Sequence, residues 1–155
     1  MPSSPGSIFV DTSAWKAFYD EKDDMHGEAR DFMKAVAAKE VPVRLLVTSD
    51  YVMDETLTLV RFAHSHAKAV EFANAVSTSR AIRLFFAGEE TFNKALAMFI
   101  EHHDKPWSFT DCISFQLMKQ LELTTAFAFD PHFQQAGFQT LPGKVPRKER
   151  FKQSW

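Results

Sequence analysis

The chain has a single cysteine, Cys112, so no disulfide can form within it and no cysteine-rich zinc site can be built. That usage fits a reducing compartment. Glycine is scarce, with five in 155 residues, which argues against long flexible linkers. Neither G-x-x-x-x-G-K nor G-x-G-x-x-G occurs, so nothing points to P-loop or Rossmann-type nucleotide binding. No apolar run reaches the ~18 residues that cross a membrane. The opening MPSSPGSIFV lacks the basic and apolar regions of a secretory leader, so the expectation is a soluble, cytoplasmic protein without membrane contact. Net charge is only −2, and it is uneven. Residues 144–155 hold five basic residues against Glu149, whereas residues 1–143 hold 13 basic and 19 acidic residues. The body is therefore mildly acidic and would not attract nucleic acid by bulk charge.

What is present is ample packing material. The chain is 45% hydrophobic and carries sixteen Phe and three Trp, enough for one sizeable core. The length is that of one domain. The expected layout is a single domain over residues 1–143 followed by a basic tail over 144–155. Short β-rich runs at 7–10, 41–47, 82–86 and 124–129 alternate with amphipathic stretches at 13–20, 26–39, 50–60, 66–78, 89–103 and 108–121, and 138–141 offers a fifth strand. In the stretch 89–103, Phe92, Leu96, Phe99 and Ile100 share one side. The alternation predicts an α/β fold with a mainly parallel sheet of four to five strands flanked by helices.

Four acids fall where strands and helices meet: Asp11 in SIFVDTSAW, Glu55 in VTSDYVMDET, Asp111 in WSFTDCISF and Asp130 in TAFAFDPHF. Each has a purely structural reading. Asp11 or Ser13 suits a helix N-cap. Glu55, or Asp54 beside it, suits the positive end of a helix dipole. Ser108 and Asp111 fit a capping box. Asp130 before Pro131 suits a helix start. Yet a parallel sheet places such junctions on one edge, where open α/β folds bind ligands. Carboxylates about 4 Å apart repel by roughly 4 kcal/mol at an effective dielectric of about 20. The group must then take up protons or hold a hard cation such as Mg²⁺ or Mn²⁺. The spacing leaves Asp54 and Glu55 undecided.

Those four segments, in that order and covering nearly all of residues 7–141, resemble the PIN-domain family of metal-dependent ribonucleases, and within it the VapC-type toxins and their relatives. The resemblance implies a three-layer PIN-like fold and an acidic site made of Asp11, Glu55, Asp111 and Asp130, with Glu55 chosen over Asp54. It implies supporting hydroxyls at Thr12, Ser13 and Ser108 and one or two Mg²⁺ or Mn²⁺ ions. It also implies hydrolysis of RNA to 5′-phosphate and 3′-hydroxyl ends, a homodimer, and an antitoxin protein as partner. Arg61, Lys105 and Trp107 are the candidates for holding RNA. Trp107, Trp15 and Phe109 could stack on bases, with plain core packing as the competing reading.

The histidines give no zinc-site spacing and read as surface residues near helix ends. Two rival functions remain on these residues. A non-catalytic PIN-like binding or assembly module would keep the fold without the chemistry. A phosphotransfer or phosphatase-type domain would want a second Asp two residues after Asp11, or a Lys late in the sheet. Asp11-Thr12-Ser13 and the run 124–130 supply neither.

Overall fold

A computed structural model describes residues 6–143; the basic tail at 144–155 lies outside the described residues. Elements follow in the order β1 (Ser7–Val10), α1 (Thr12–Tyr19), α2 (His26–Ala37), β2 (Leu45–Ser49), α3 (Asp50–Ala63), α4 (His66–Thr78), β3 (Ile82–Phe85), α5 (Glu89–Glu101), α6 (Phe109–Gln120), β4 (Thr125–Phe127), α7 (His132–Gln135) and β5 (Gln139–Leu141). The five strands form one sheet in the order β3-β2-β1-β4-β5. Every pairing is parallel. The chain leaves β1 toward β2 and β3, then returns to lay β4 on the other side of β1. That reversal makes the β1/β4 boundary a switch point, where a crevice opens beyond the strand ends. Asp11 follows β1 and Asp130 lies three residues past β4.

The strand read at 41–47 starts later, at Leu45. Pro42 has no N–H to give a ladder, and the Val43 N–H closes a tight turn onto the Val41 carbonyl at 2.8 Å. Pairing begins once the Arg44 and Leu45 N–H groups reach the Gly6 carbonyl. Gly6 is suited to this place. Its φ is +87°, and a side chain there would press on the Pro42 carbonyl.

The core is aromatic. Phe9, Trp15, Phe72, Phe115, Phe127 and Phe133 are fully buried. Phe115 and Phe133 meet edge to face with centroids 5.0 Å apart, a favourable arrangement for two rings. The α5 side that carries Phe92, Leu96, Phe99 and Ile100 is exposed, while Thr91 and Ala95 of that helix are buried. Phe62 on α3 and Phe86 after β3 are also exposed.

One core contact links a helix to the sheet. The Trp15 indole N–H donates to the Thr48 hydroxyl at 3.3 Å, tying α1 to the end of β2. Trp15→Phe keeps most of the packing and removes the donor from a fully buried hydroxyl. It should cost about 1–3 kcal/mol, read as a lower midpoint in urea unfolding with an unchanged slope.

Candidate active site

Local rules aim each acid. Asp11 is the N-cap of α1: its Oδ2 accepts the Ser13 N–H at 3.2 Å and the Ser13 hydroxyl at 2.7 Å. The same hydroxyl accepts the Phe129 N–H at 3.0 Å, so Ser13 ties the end of β1 to the chain just before Asp130. Ser49 caps α3 by accepting the Val52 N–H. Glu55 therefore lies in the second turn of that helix, where the dipole reading is weak. It is half-buried, and Asp54 is exposed.

Ser108 and Asp111 form the capping box read from the sequence, with both reciprocal bonds at 3.0 Å. Asp111 follows a loop and not a strand. It reaches the same edge because α6 leads into β4, and its start lies near the level where β4 ends. The helix after Asp130 begins later than Pro131 suggested. Pro131 is the N-cap of α7, and Asp130 Oδ1 accepts the His132 N–H at 3.0 Å.

The four acids share one electrostatic neighbourhood. Burial, then the repulsion of Asp130, pushes the Asp11 carboxyl well above the usual carboxylate range. Burial also raises Glu55, and Asp111 and Asp130 add to the effect. Burial raises Asp111 too, opposed by the Ser108 N–H and by His132. Cys112, beside Asp111, is a buried thiol pushed up to about 11, mainly by burial, and is no nucleophile at neutral pH.

Sequence reasoning missed His132. Its Nδ1 lies 2.8 Å from Asp111 Oδ2 and 3.8 Å from Asp130 Oδ1. Asp111, Asp130 and His132 each offer an atom within 4.8 Å of the others, a spacing that suits a metal ion. The D-P-H-F string held the signal: a histidine two residues after a strand-end acid is carried to the same edge. The other histidines largely match the surface reading. His66 and His103 are exposed, and His64 and His102 end α3 and α5.

The remaining predicted residues divide. Thr12 and Ser13 adjoin the acids. Arg61 does not reach them. It lies in the last turn of α3, about 9 Å along the axis from Glu55, with its guanidinium over the Phe62 ring. Lys105 is exposed in the loop before α6 and lines a cavity of about 370 Å³ with His102, His103 and Trp107. Trp107 itself is buried: its N–H donates to Gln135 at 3.0 Å, and its ring packs on Phe115 and His102. Trp15 is buried as well. For both tryptophans the stacking expectation gives way to core packing.

The donor set fits a hard divalent cation. It is made of carboxylates, and Thr12, beside Glu55, favours that group's charged form. Yet the Thr12 hydroxyl is buried and completes no hydrogen bond of good geometry. A buried hydroxyl without a partner is uncommon, and an oxygen-ligated ion would satisfy it, directly or through water. Thr56 holds a second unpaired buried hydroxyl, for which nothing nearby gives a reason.

A profile described as the PIN domain matches residues 8–139. The chain is 35% identical over 131 residues to the 23S rRNA-specific endonuclease VapC20 of Mycobacterium tuberculosis, covering 84% of this chain and 95% of that one. It is 28% identical over 128 residues to the VapC ribonuclease of Archaeoglobus fulgidus, covering 82% and 79%. The crystal structure of the M. tuberculosis protein, described there as a Sarcin-Ricin loop cleaving toxin, matches with a TM-score of 0.76 at 32% identity, covering 84% and 95%.

The raised carboxyls fix how stability depends on pH. A carboxyl raised in the folded state adds stability below its ordinary value, near 3.8 for Asp, and that stability is lost as pH rises through the folded value. Above about pH 5, where the opposite gain from the lowered Asp20 carboxyl is complete, the metal-free protein should melt at progressively lower temperature as pH climbs toward neutrality. Asp11→Asn keeps the α1 cap, because Asn caps as well as Asp. At pH 7 it should stabilise the metal-free protein by up to about 4 kcal/mol, the repulsion of one close carboxylate pair. Added Mn²⁺ should raise the melting temperature of the wild type and leave that of the variant nearly unchanged.

Proposed function

Because the chain belongs to the PIN-domain family, we propose that it is a metal-dependent endoribonuclease of the VapC kind, with Asp11, Glu55, Asp111 and Asp130 as its acidic centre. The observation that carries this reading is the clustered carboxylate set at the β1/β4 switch point, with Asp11 and Asp111 buried and Glu55 and Asp130 partly so, and the unpaired Thr12 hydroxyl beside it. RNA is a polyanion, and it cannot approach these carboxylates without a cation between them. One or two Mg²⁺ or Mn²⁺ ions, held by Asp11, Asp111 and Glu55 with Asp130 at the rim, would lower the pKa of an attacking water and offset the charge on the scissile phosphodiester.

The chain's own groups do the positioning. Ser13 holds one oxygen of Asp11 and the backbone ahead of Asp130. Ser108 locks Asp111. Thr12 supports Glu55. Lys105, exposed on a cavity that Cys112, the residue after Asp111, also lines, is the cationic candidate for RNA phosphates. Hydrolysis in this sense leaves a 3′-hydroxyl and a 5′-phosphate.

The same reading supplies the partners. The exposed apolar side of α5, with Phe62 and Phe86, supports contact with another protein. A second copy of the chain and an antitoxin are the partners it would accommodate. Among the described residues no helix is long and apolar enough to cross a membrane. An enzyme acting on ribosomal or messenger RNA works in the cytoplasm. Residues 6–143 hold the whole acidic centre, and the basic tail at 144–155 is proposed as an appendage to that nuclease unit.

The test is cleavage of end-labelled RNA with Mg²⁺, Mn²⁺ or chelator. The 23S rRNA loop for which the M. tuberculosis relative is described is the first substrate to try. Chelator, and separately Asp11→Asn, should slow cleavage by about two orders of magnitude or more, the scale of losing a transition-state electrostatic partner. Cleavage that ignores metal, or an Asp11→Asn protein as active as the wild type, would sink the reading.

A further inference from the structure

Asp111 Oδ2 accepts two bonds at once. The Ser108 N–H reaches it at 3.0 Å from the capping box, and His132 Nδ1 reaches it at 2.8 Å from α7. A carboxylate oxygen only accepts, so Nδ1 is the donor in this pair whenever Asp111 is ionised. The two donors come from different elements, one backbone and one side chain. Together they fix the rotation of the carboxylate and keep its other oxygen, Oδ1, out of the capping bonds.

His132 is itself placed by the fourth acid. Asp130 Oδ1 accepts its backbone N–H at 3.0 Å, and the imidazole then turns back to Asp111. Phe133, the next residue, is fully buried and anchors α7. The chain of contacts runs from Asp130 through His132 to Asp111, joining the acid after β4 to the acid that opens α6.

We propose that His132 is a positioning residue of the acidic centre, holding Asp111 so that Oδ1 is presented to a divalent cation. This rests on the reading of the centre as a metal site. It assigns the imidazole to orientation and not to ligation. Outer groups that orient a ligand in this way commonly govern metal affinity by about ten- to a hundredfold.

Mn²⁺ binding, followed by loss of the free-ion electron paramagnetic resonance signal, tests it on four proteins: wild type, His132→Ala, His132→Asn and His132→Gln. The Asn amide nitrogen falls where Nδ1 lies, and the Gln amide nitrogen falls nearer Nε2. The Ala and Gln proteins should bind Mn²⁺ about ten- to a hundredfold more weakly, and the Asn protein close to wild type. Metal-free melting curves check that each variant is folded. Should Ala not fold, the contrast between Asn and Gln decides.

Equal binding by all four proteins overturns the positioning role and leaves the nuclease reading intact. Asn as weak as Ala also overturns it, and points to the imidazole as a direct ligand. That reading is checked by a loss larger for Mn²⁺ than for Mg²⁺, because imidazole favours the softer ion. A wild type that binds no Mn²⁺ removes the metal site itself and, with it, both readings.

Discussion

Mutual repulsion among buried carboxylates is the constraint around which this protein is arranged. Asp11 is 2% exposed and Asp111 6% exposed, so water screens neither well. Removing a charge from water and setting it beside another of the same sign is among the costliest arrangements in a fold. The structure tolerates it because the backbone is committed elsewhere. Five parallel strands deliver β1 and β4 side by side, and a core of stacked and edge-packed phenylalanines holds them there. Burial and the neighbouring Asp130 hold the Asp11 carboxyl well above the usual carboxylate range, which favours its protonated form. In the proposed reading a bound cation offsets the same charge.

The topology explains why the acids come from four distant stretches of chain. In a parallel sheet each strand ends at the same edge, and each following helix starts there. Helix starts carry unpaired N–H groups that acids and hydroxyls satisfy. An acid placed for capping is therefore already at the edge where ligands bind. Evolution of a metal site on this frame needs only that several caps converge, which the β1/β4 switch point provides.

Much of this was legible in the chain itself. The alternating strands and helices, the four junction acids, the capping box of Ser108 and the short fifth strand are all written in local patterns. Three features were not. The start of β2 depends on Gly6 and Pro42, which meet only in the fold. The α5 residues Phe92, Leu96, Phe99 and Ile100 have the spacing of a buried face, yet they are exposed. Periodicity says that apolar residues share a side and does not say what covers it. His132 carries no such pattern, because Asp130-Pro131 reads locally as a helix start. Its contact with Asp111 spans 21 residues and becomes visible only when α6 and α7 are side by side. Trp15 and Trp107 show the reverse: aromatic rings near the site motifs that the fold spends on packing.

The competition between capping and ligation at each acid dissolves once the oxygens are considered singly. Asp11 commits Oδ2 to Ser13, and Asp111 commits Oδ2 to Ser108 and His132. Each carboxylate is aimed by one oxygen and keeps the other outside those capping bonds. A free carboxylate on a flexible side chain would lose rotamer freedom on binding an ion. A capped one has lost it during folding, so its ligand geometry is set in advance. On the proposed metal-site reading, capping is the means by which the site is aimed, and the structural and proposed chemical roles of Asp11 and Asp111 are two uses of one side chain. Glu55 makes no cap. Its position comes from half-burial on the second turn of α3, which makes it the least constrained of the three inner acids.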